Sequence, residues 1–316
     1  MTTSNPGTVL ITGPTGGLGR AAVLAMANRP PQWRPDLILV GRAGQALTEL
    51  ADTVRAAGAT VRAIRCDLAR LAEVRAAAEQ AAELLAGGGV RPLRSLIANA
   101  GVWGVGASDA SADGYELTFA VNYLAHAQLI GDLLGSFAAP ARIVLLGSNT
   151  YHANRVRKML GVQPARWRDP IALARPAAAD ARASFKAAGV AYSDSKLAIL
   201  YYAHELQRRA PSGISVAVYE PGFMPGTGLS RQSGPGLRRI GRGIQRLPGI
   251  ASPARSGPEL ASVVLDDRWA HLRDGAFVVR AKERDVQPVA HNREREARLW
   301  EATAELLHRA KTEPAD

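Results

Sequence analysis

The sequence predicts an α/β fold, a doubly wound parallel sheet of about seven strands with helices on both faces, and three observations lead there. Short, near-continuous apolar runs alternate with longer amphipathic stretches through the first 150 residues. A glycine-rich turn from Thr12 to Gly19 joins the first apolar run to the first amphipathic stretch. The chain, 316 residues long, 47% hydrophobic and 21% charged, has enough apolar material to cover both faces of one sheet, which excludes wholesale disorder.

Taken in order, Thr8 to Thr12 reads as a buried strand and the Ala-rich stretch to about Asn28 as a helix. Leu37 to Val40 is a second strand, 46–57 a helix, and Thr60 to Ile64 a third strand. Helix 71–86 stops at Gly87-Gly88-Gly89, a run that cannot hold helical backbone cheaply. Ser95 to Ala98 is a fourth strand, 113–135 a long helix, and Arg142 to Leu146 a fifth strand. Residues 151–188, with Pro164, Pro170 and Pro176, break the rhythm and read as an insertion with short helices. Helix 190–209 and strand Ile214 to Val218 resume it. Residues 225–257 are rich in Gly, Pro and Arg and read as a substrate flap. A helix near 258–267, a strand Ala276 to Val279 and a charged helix near 293–310 complete a single domain.

One cysteine, Cys66, excludes an internal disulfide and a cysteine-cluster metal site, and the six histidines show no metal-ligand spacing. The polar start and the lack of a membrane-length apolar run predict a cytoplasmic protein without a transmembrane span. The net charge of +11 is concentrated rather than general. Residues 151–188 hold eight Lys/Arg against two acids, and residues 229–257 hold six Arg and no acid. The rest is nearly neutral, so a nucleic-acid-binding surface is not expected, and a basic rim around a substrate mouth is. Within the second segment, Leu237, Ile240, Ile244 and Leu247 recur at helical intervals with Arg238, Arg239, Arg242 and Arg246 between them. That pattern fits a lid helix, or a helix for a peripheral membrane contact or an acidic partner.

Three features carry chemistry. The turn Thr12-Gly13-Pro14-Thr15-Gly16-Gly17-Leu18-Gly19 lets backbone approach a pyrophosphate at a helix N-terminus. Arg42, at the end of the second strand, suits the 2′-phosphate of NADP(H) where an acid would suit the ribose of NAD. Tyr192 and Lys196, four apart on one helix face, set an ammonium beside a phenol, an arrangement expected to lower the phenol's pKa for proton transfer.

With these residues in order, the chain resembles the short-chain dehydrogenase/reductases. The resemblance runs from Thr12, Gly13, Gly17, Leu18 and Gly19 through Asp67-Leu68 after the third strand and Asn99-Ala100-Gly101 after the fourth. It continues with Asn122, with Ser148 ending the fifth strand, with Tyr192 and Lys196, and with Pro221-Gly222 after the sixth. It implies a Rossmann fold and a tetrad of Asn122, Ser148, Tyr192 and Lys196. Tyr192 would be the general acid in reduction, and Ser148 would hold the substrate oxygen. Lys196 would bind the nicotinamide ribose, and Asn122 would anchor a water leading to Lys196. Asp67 would touch the adenine, and Thr227, five after Gly222, would contact the carboxamide.

Residues 191–196, 205–209 and 221–229 are similar to protochlorophyllide reductases and retinol dehydrogenases within the family, although Phe223 stands where the former place a cysteine. The expected function is an NADP(H)-dependent ketoreductase for a bulky, apolar or polycyclic substrate, anionic or carrier-bound substrates included. The alternatives are a carbon–carbon double-bond reductase of the protochlorophyllide reductase type and, from another class, a non-catalytic NADP-binding regulator. The insertion would cover the helix the family uses for subunit pairing, form one wall of the pocket, or simply be solvated. Monomer and dimer both remain open.

Overall fold

Strand polarity and the point where strand order reverses decide where this fold can bind a ligand, and both are visible in the computed structural model, which describes residues 6–103, 109–152, 162–177, 185–224 and 251–312. Thr227, most of the flap including the stretch 237–247, and parts of the insertion (153–161 and 178–184) lie outside the described residues. The strands are β1 (Thr8–Thr12), β2 (Asp36–Gly41), β3 (Val61–Arg65), β4 (Leu93–Ala98), β5 (Phe137–Leu146), β6 (Ile214–Glu220), β7 (Ala276–Val279) and β8 (Lys282–Arg284). They form one sheet in the order β3-β2-β1-β4-β5-β6-β7-β8. β1 through β7 pair in parallel, and β8 runs antiparallel to β7. The eighth strand goes beyond the seven expected. Its three residues are exposed, so they carry no apolar signal.

The longer helices are α1 (Gly17–Ala27), α2 (Gln45–Ala56), α3 (Leu71–Ala86), α4 (Ala125–Leu133), α5 (Phe185–Arg209), α6 (Pro253–Leu265) and α7 (Arg293–Thr312). Successive residues of β1 serve opposite faces, as the two-residue period of a strand requires. Val9 and Ile11 join the core beneath α1, α2 and α6, with Val23, Leu50 and Leu260. Leu10 joins the core beneath α3, α4, α5 and α7, with Val74, Leu129, Leu200 and Leu299. Both faces are therefore covered, which is why the strands are apolar without alternation.

The expected long helix 113–135 is divided. A helical turn at Leu117–Phe119 leads into a π-helical turn, Ala120–Leu124, and only then into α4. The first turn is capped by the carboxylate of Glu116, which accepts from the amides of Thr118 at 3.0 Å and Phe119 at 2.6 Å. No helix among the described residues is long and apolar enough to cross a membrane.

Candidate active site

In a doubly wound sheet, ligands bind beyond the carboxyl ends of the strands where strand order reverses. Here β1 lies between β2 and β4, so the reversal falls between β1 and β4. The sequence-predicted residues collect at that edge. Thr12 ends β1, Arg42 follows β2, Asp67 follows β3, Asn99 follows β4, Ser148 follows β5 and Pro221 follows β6.

The β1–α1 turn is built by close backbone approach. Gly13 has φ +62°, and a Cβ there would lie 2.9 Å from Ala100 Cα. A Cβ on Gly19 would overlap the Gly13 carbonyl oxygen and lie 2.6 Å from Asn99 Nδ2. Asn99 holds the turn by donating from Nδ2 to Thr12 O at 2.8 Å and to Gly13 O at 3.0 Å. No side chain caps α1 at Gly16, which leaves its first-turn amides to an anion. The residues present therefore fit a dinucleotide pyrophosphate.

Beyond the ends of β2 and β3 lies a cleft of about 230 Å³ lined by Arg42, Ala43, Arg65, Asp67, Arg70 and Glu73. Three guanidinium groups against two carboxylates give it a positive balance, which suits a phosphate monoester. Asp67 Oδ1 accepts from the amide of Ala69 at 3.1 Å, and Leu68 is buried beside it. Sequence reasoning found Arg42 is joined there by Arg65 and Arg70, which the sequence did not single out. The parallel register that pairs Gly41 with Arg65 is the signal that joins them.

The tetrad residues come from three elements: Asn122 from the π-helical turn, Ser148 from just beyond the end of β5, and Tyr192 and Lys196 both from α5. Asn122, buried in the π-helical turn, accepts from the amide of Val102 at 2.7 Å. It donates through Nδ2 to Val102 O and to Ser195 Oγ, both at 3.1 Å. Ser195 Oγ in turn donates to Tyr192 O at 2.7 Å, so the Asn is tied to the helix bearing the phenol. Lys196 Nζ donates to Leu146 O at 2.7 Å and lies 5.4 Å from the centroid of the Tyr192 ring. Burial lowers Lys196 to about 7.

Burial likewise pushes the Tyr192 phenol up to about 12; its hydrogen bond with Ser148 opposes that and the charge of Glu220 adds to it. This is the reverse of the lowering expected from the Tyr–Lys spacing. The loss of water around the phenol dominates, while Lys196, itself buried, bonded to a carbonyl and lowered to about 7, is only partly charged at neutral pH. At neutral pH the phenol is therefore a proton donor held against Ser148.

The described part of the insertion is fastened to this helix. Ser193 Oγ donates to Gln163 O at 2.6 Å, and Asp194 Oδ1 accepts from the amide of Arg166 at 2.6 Å. Trp167 meets Tyr201 edge-on at 4.7 Å, and the Ala165 amide donates to Tyr151 O at 3.1 Å. After β6, Gly222 has φ +89°, Ser256 Oγ donates to Pro221 O at 3.0 Å, and Phe223 stands 70% exposed.

Proton-donating hydroxyls beside a dinucleotide crevice define an oxidoreductase. The chain belongs to the short-chain dehydrogenase/reductase family. The sequence model of the short chain dehydrogenases matches residues 7–158. Over 96% of its length the chain is 31% identical to protochlorophyllide reductase A of Oryza sativa subsp. japonica, covering 81% of that protein. Over 94% of its length it is 30% identical to a Streptomyces protein named as the daunorubicin C-13 ketoreductase DnrU, covering 91% of it. Among solved structures, the angucycline C-6 ketoreductase LanV with bound NADP superposes with a TM-score of 0.63 at 20% identity. That match spans 86% of this chain and 93% of LanV.

Proposed function

We propose that the protein is an NADP(H)-dependent ketoreductase that transfers hydride between the nicotinamide and a carbonyl or alcohol carbon of a bulky, apolar or polycyclic substrate. The observation that carries this reading is the Tyr192 phenol, held protonated against Ser148 with its pKa raised to about 12. When bound, the reduced nicotinamide supplies the hydride. Ser148 donates to the substrate carbonyl oxygen and fixes its place. As negative charge grows on that oxygen, Tyr192 gives up its phenolic proton; an alkoxide is far more basic than a phenolate, so the transfer is downhill even from a raised pKa. Lys196 balances the phenolate that remains and holds the nicotinamide ribose.

Asn122, bonded to Val102 and Ser195, keeps the Tyr192–Lys196 helix in register with the loop after β4. The turn Thr12, Gly13, Gly17, Leu18, Gly19 takes the pyrophosphate, Asp67 and Leu68 the adenine, and Asn99, Ala100 and Gly101 the adjoining ribose. Pro221-Gly222 and Thr227 take the nicotinamide. Arg42 takes the 2′-phosphate, supported by its positive cleft. The concentration of positive charge in the two segments that flank Tyr192 and Gly222 in the sequence supports an anionic or carrier-bound substrate.

The likeness to a protochlorophyllide reductase favours a second reading, reduction of a ring carbon–carbon double bond. NADPH deuterated at C4 separates the two. Label arriving on an oxygen-bearing carbon of a polycyclic ketone supports the first reading, and label on a ring carbon without oxygen overturns it in favour of the second.

A further inference from the structure

Asn122 and the cofactor-binding turn belong to different elements, and one buried side chain spans them. His126, in the first turn of α4, is 2% exposed. Its Nε2 lies 2.9 Å from Thr12 Oγ1 and its Nδ1 lies 3.1 Å from the Asn122 carbonyl oxygen. The protons on this chain are fixed by counting. Thr12 Oγ1 already accepts from the amides of Asn99 and Ala100, each at 3.0 Å. A hydroxyl has two acceptor positions and one proton, so Thr12 donates that proton to His126 Nε2. A neutral imidazole that accepts at Nε2 carries its hydrogen on Nδ1, and that hydrogen is donated to Asn122 O. Every donor and acceptor is used, and the chain runs one way from the loop after β4, through Thr12 and His126, to Asn122. From Asn122 it passes through Ser195 to the backbone of Tyr192. Burial and the charge of Lys196 press His126 down to about 4, in keeping with the neutral form that this wiring requires.

We infer that His126 is a positioning residue that couples the dinucleotide-binding turn to Asn122 and the Tyr192 helix, so that occupation of the turn sets the reacting geometry. The inference rests on the ketoreductase reading for its kinetic consequence alone. Thr12 and Asn99 pack against the turn that receives the pyrophosphate, so ordering that turn orders the Thr12 hydroxyl, then the imidazole, then the π-helical turn carrying Asn122.

The two ring nitrogens can be tested separately. H126N keeps a donor near the Nδ1 position and loses the Thr12 bond; H126Q keeps an acceptor near the Nε2 position and loses the Asn122 bond. T12V removes the hydroxyl with the side-chain shape preserved, which keeps the question open to experiment if either histidine variant fails to fold. The primary readout is hydrogen exchange by mass spectrometry over residues 117–133, with and without NADPH. In the wild type NADPH slows exchange across this segment, and in all three variants that slowing falls by half or more while NADPH still protects 8–27. Fluorescence titration of NADPH should show a loss of about tenfold in H126N, the size expected for one buried neutral hydrogen bond, and a larger loss in T12V, which also takes the acceptor from the Asn99 and Ala100 amides. H126Q should lose more in kcat than in NADPH affinity, with H126N showing the opposite split. Variants that lose only melting temperature and retain NADPH-dependent protection of 117–133 would overturn the coupling. If the wild type reduces no ketone, the ketoreductase reading fails, while exchange and NADPH titration still decide the role of His126.

Discussion

Asp194 lies between Tyr192 and Lys196, 2% exposed, and its carboxylate accepts from the Arg166 amide in the insertion. Burial raises its pKa from 3.8 to about 6, over the opposition of that hydrogen bond and of the Arg168 and Arg166 charges. The folded chain thus keeps a proton on Asp194 between about pH 4 and pH 6 that the unfolded chain has lost. Stability falls as pH rises through that window, and above it the ionised carboxylate costs about 3 kcal/mol. Asp194→Asn has the same shape, still offers an oxygen to Arg166 N–H, and carries no charge. It should therefore raise unfolding free energy at pH 7.5 by about 2–3 kcal/mol, the attraction of the two arginines being already contained in the pKa of about 6. At pH 4.5 the same substitution should change stability by less than about 1 kcal/mol. Urea unfolding followed by tryptophan fluorescence at both pH values measures the difference. Equal destabilisation at the two pH values would refute the reasoning, because it would mean that Asp194 acts through its charge on Arg166 and Arg168 rather than against its own desolvation.

Other expectations follow from the site and the packing around it. Tyr192→Phe removes the proton donor and should lower kcat by about 10² to 10⁴ with NADPH affinity retained, measured by steady-state kinetics beside fluorescence titration. Arg42→Ala and Arg65→Ala should each raise the KM for NADPH by roughly 10- to 100-fold and leave that for NADH nearly unchanged, since each loses about 1.5–3 kcal/mol of charge-assisted bonding to a 2′-phosphate. Equal effects on both cofactors would remove these residues from the phosphate site. The outer face of α5 is occupied by α7: Trp300 stacks on Tyr202 at 5.6 Å, and Glu296 meets His204 at 2.9 Å and Arg208 at 2.7 Å. Light scattering should accordingly report a monomer of 33.4 kDa.

What was legible in the sequence was whatever depends on neighbours along the chain. The Gly-rich turn, Arg42 at a strand end and Tyr192 one helical turn before Lys196 are local patterns; the first two stand at the carboxyl ends of β1 and β2, and the third lies on α5. α3 coincides with its predicted span because Gly87 gives a local stop. Residues whose partners are distant were hidden. His126 bonds across 114 positions to Thr12, and nothing in its own surroundings distinguishes it from a core histidine. The packing of α7 on α5 depends on side chains some 90 positions apart, such as His204 and Glu296. The start of the Asn122 helix was misplaced because Glu116, not a preferred cap residue, supplies the cap. α6 begins at Pro253 rather than near Pro258, since the second proline sits inside a helix that the first one starts.

The fastening of the insertion to α5 constrains how that segment can be altered. Ser193 and Asp194 anchor residues 163–167 by main-chain atoms, from the same turn of helix that carries the reacting phenol. Exchanging this segment for one of another length would break both anchors on the helix turn of Tyr192. Randomising only the side chains at Gln163, Ala165 and Arg166 leaves those main-chain anchors intact. This segment is best redesigned by repainting its side chains, with the main-chain frame left standing.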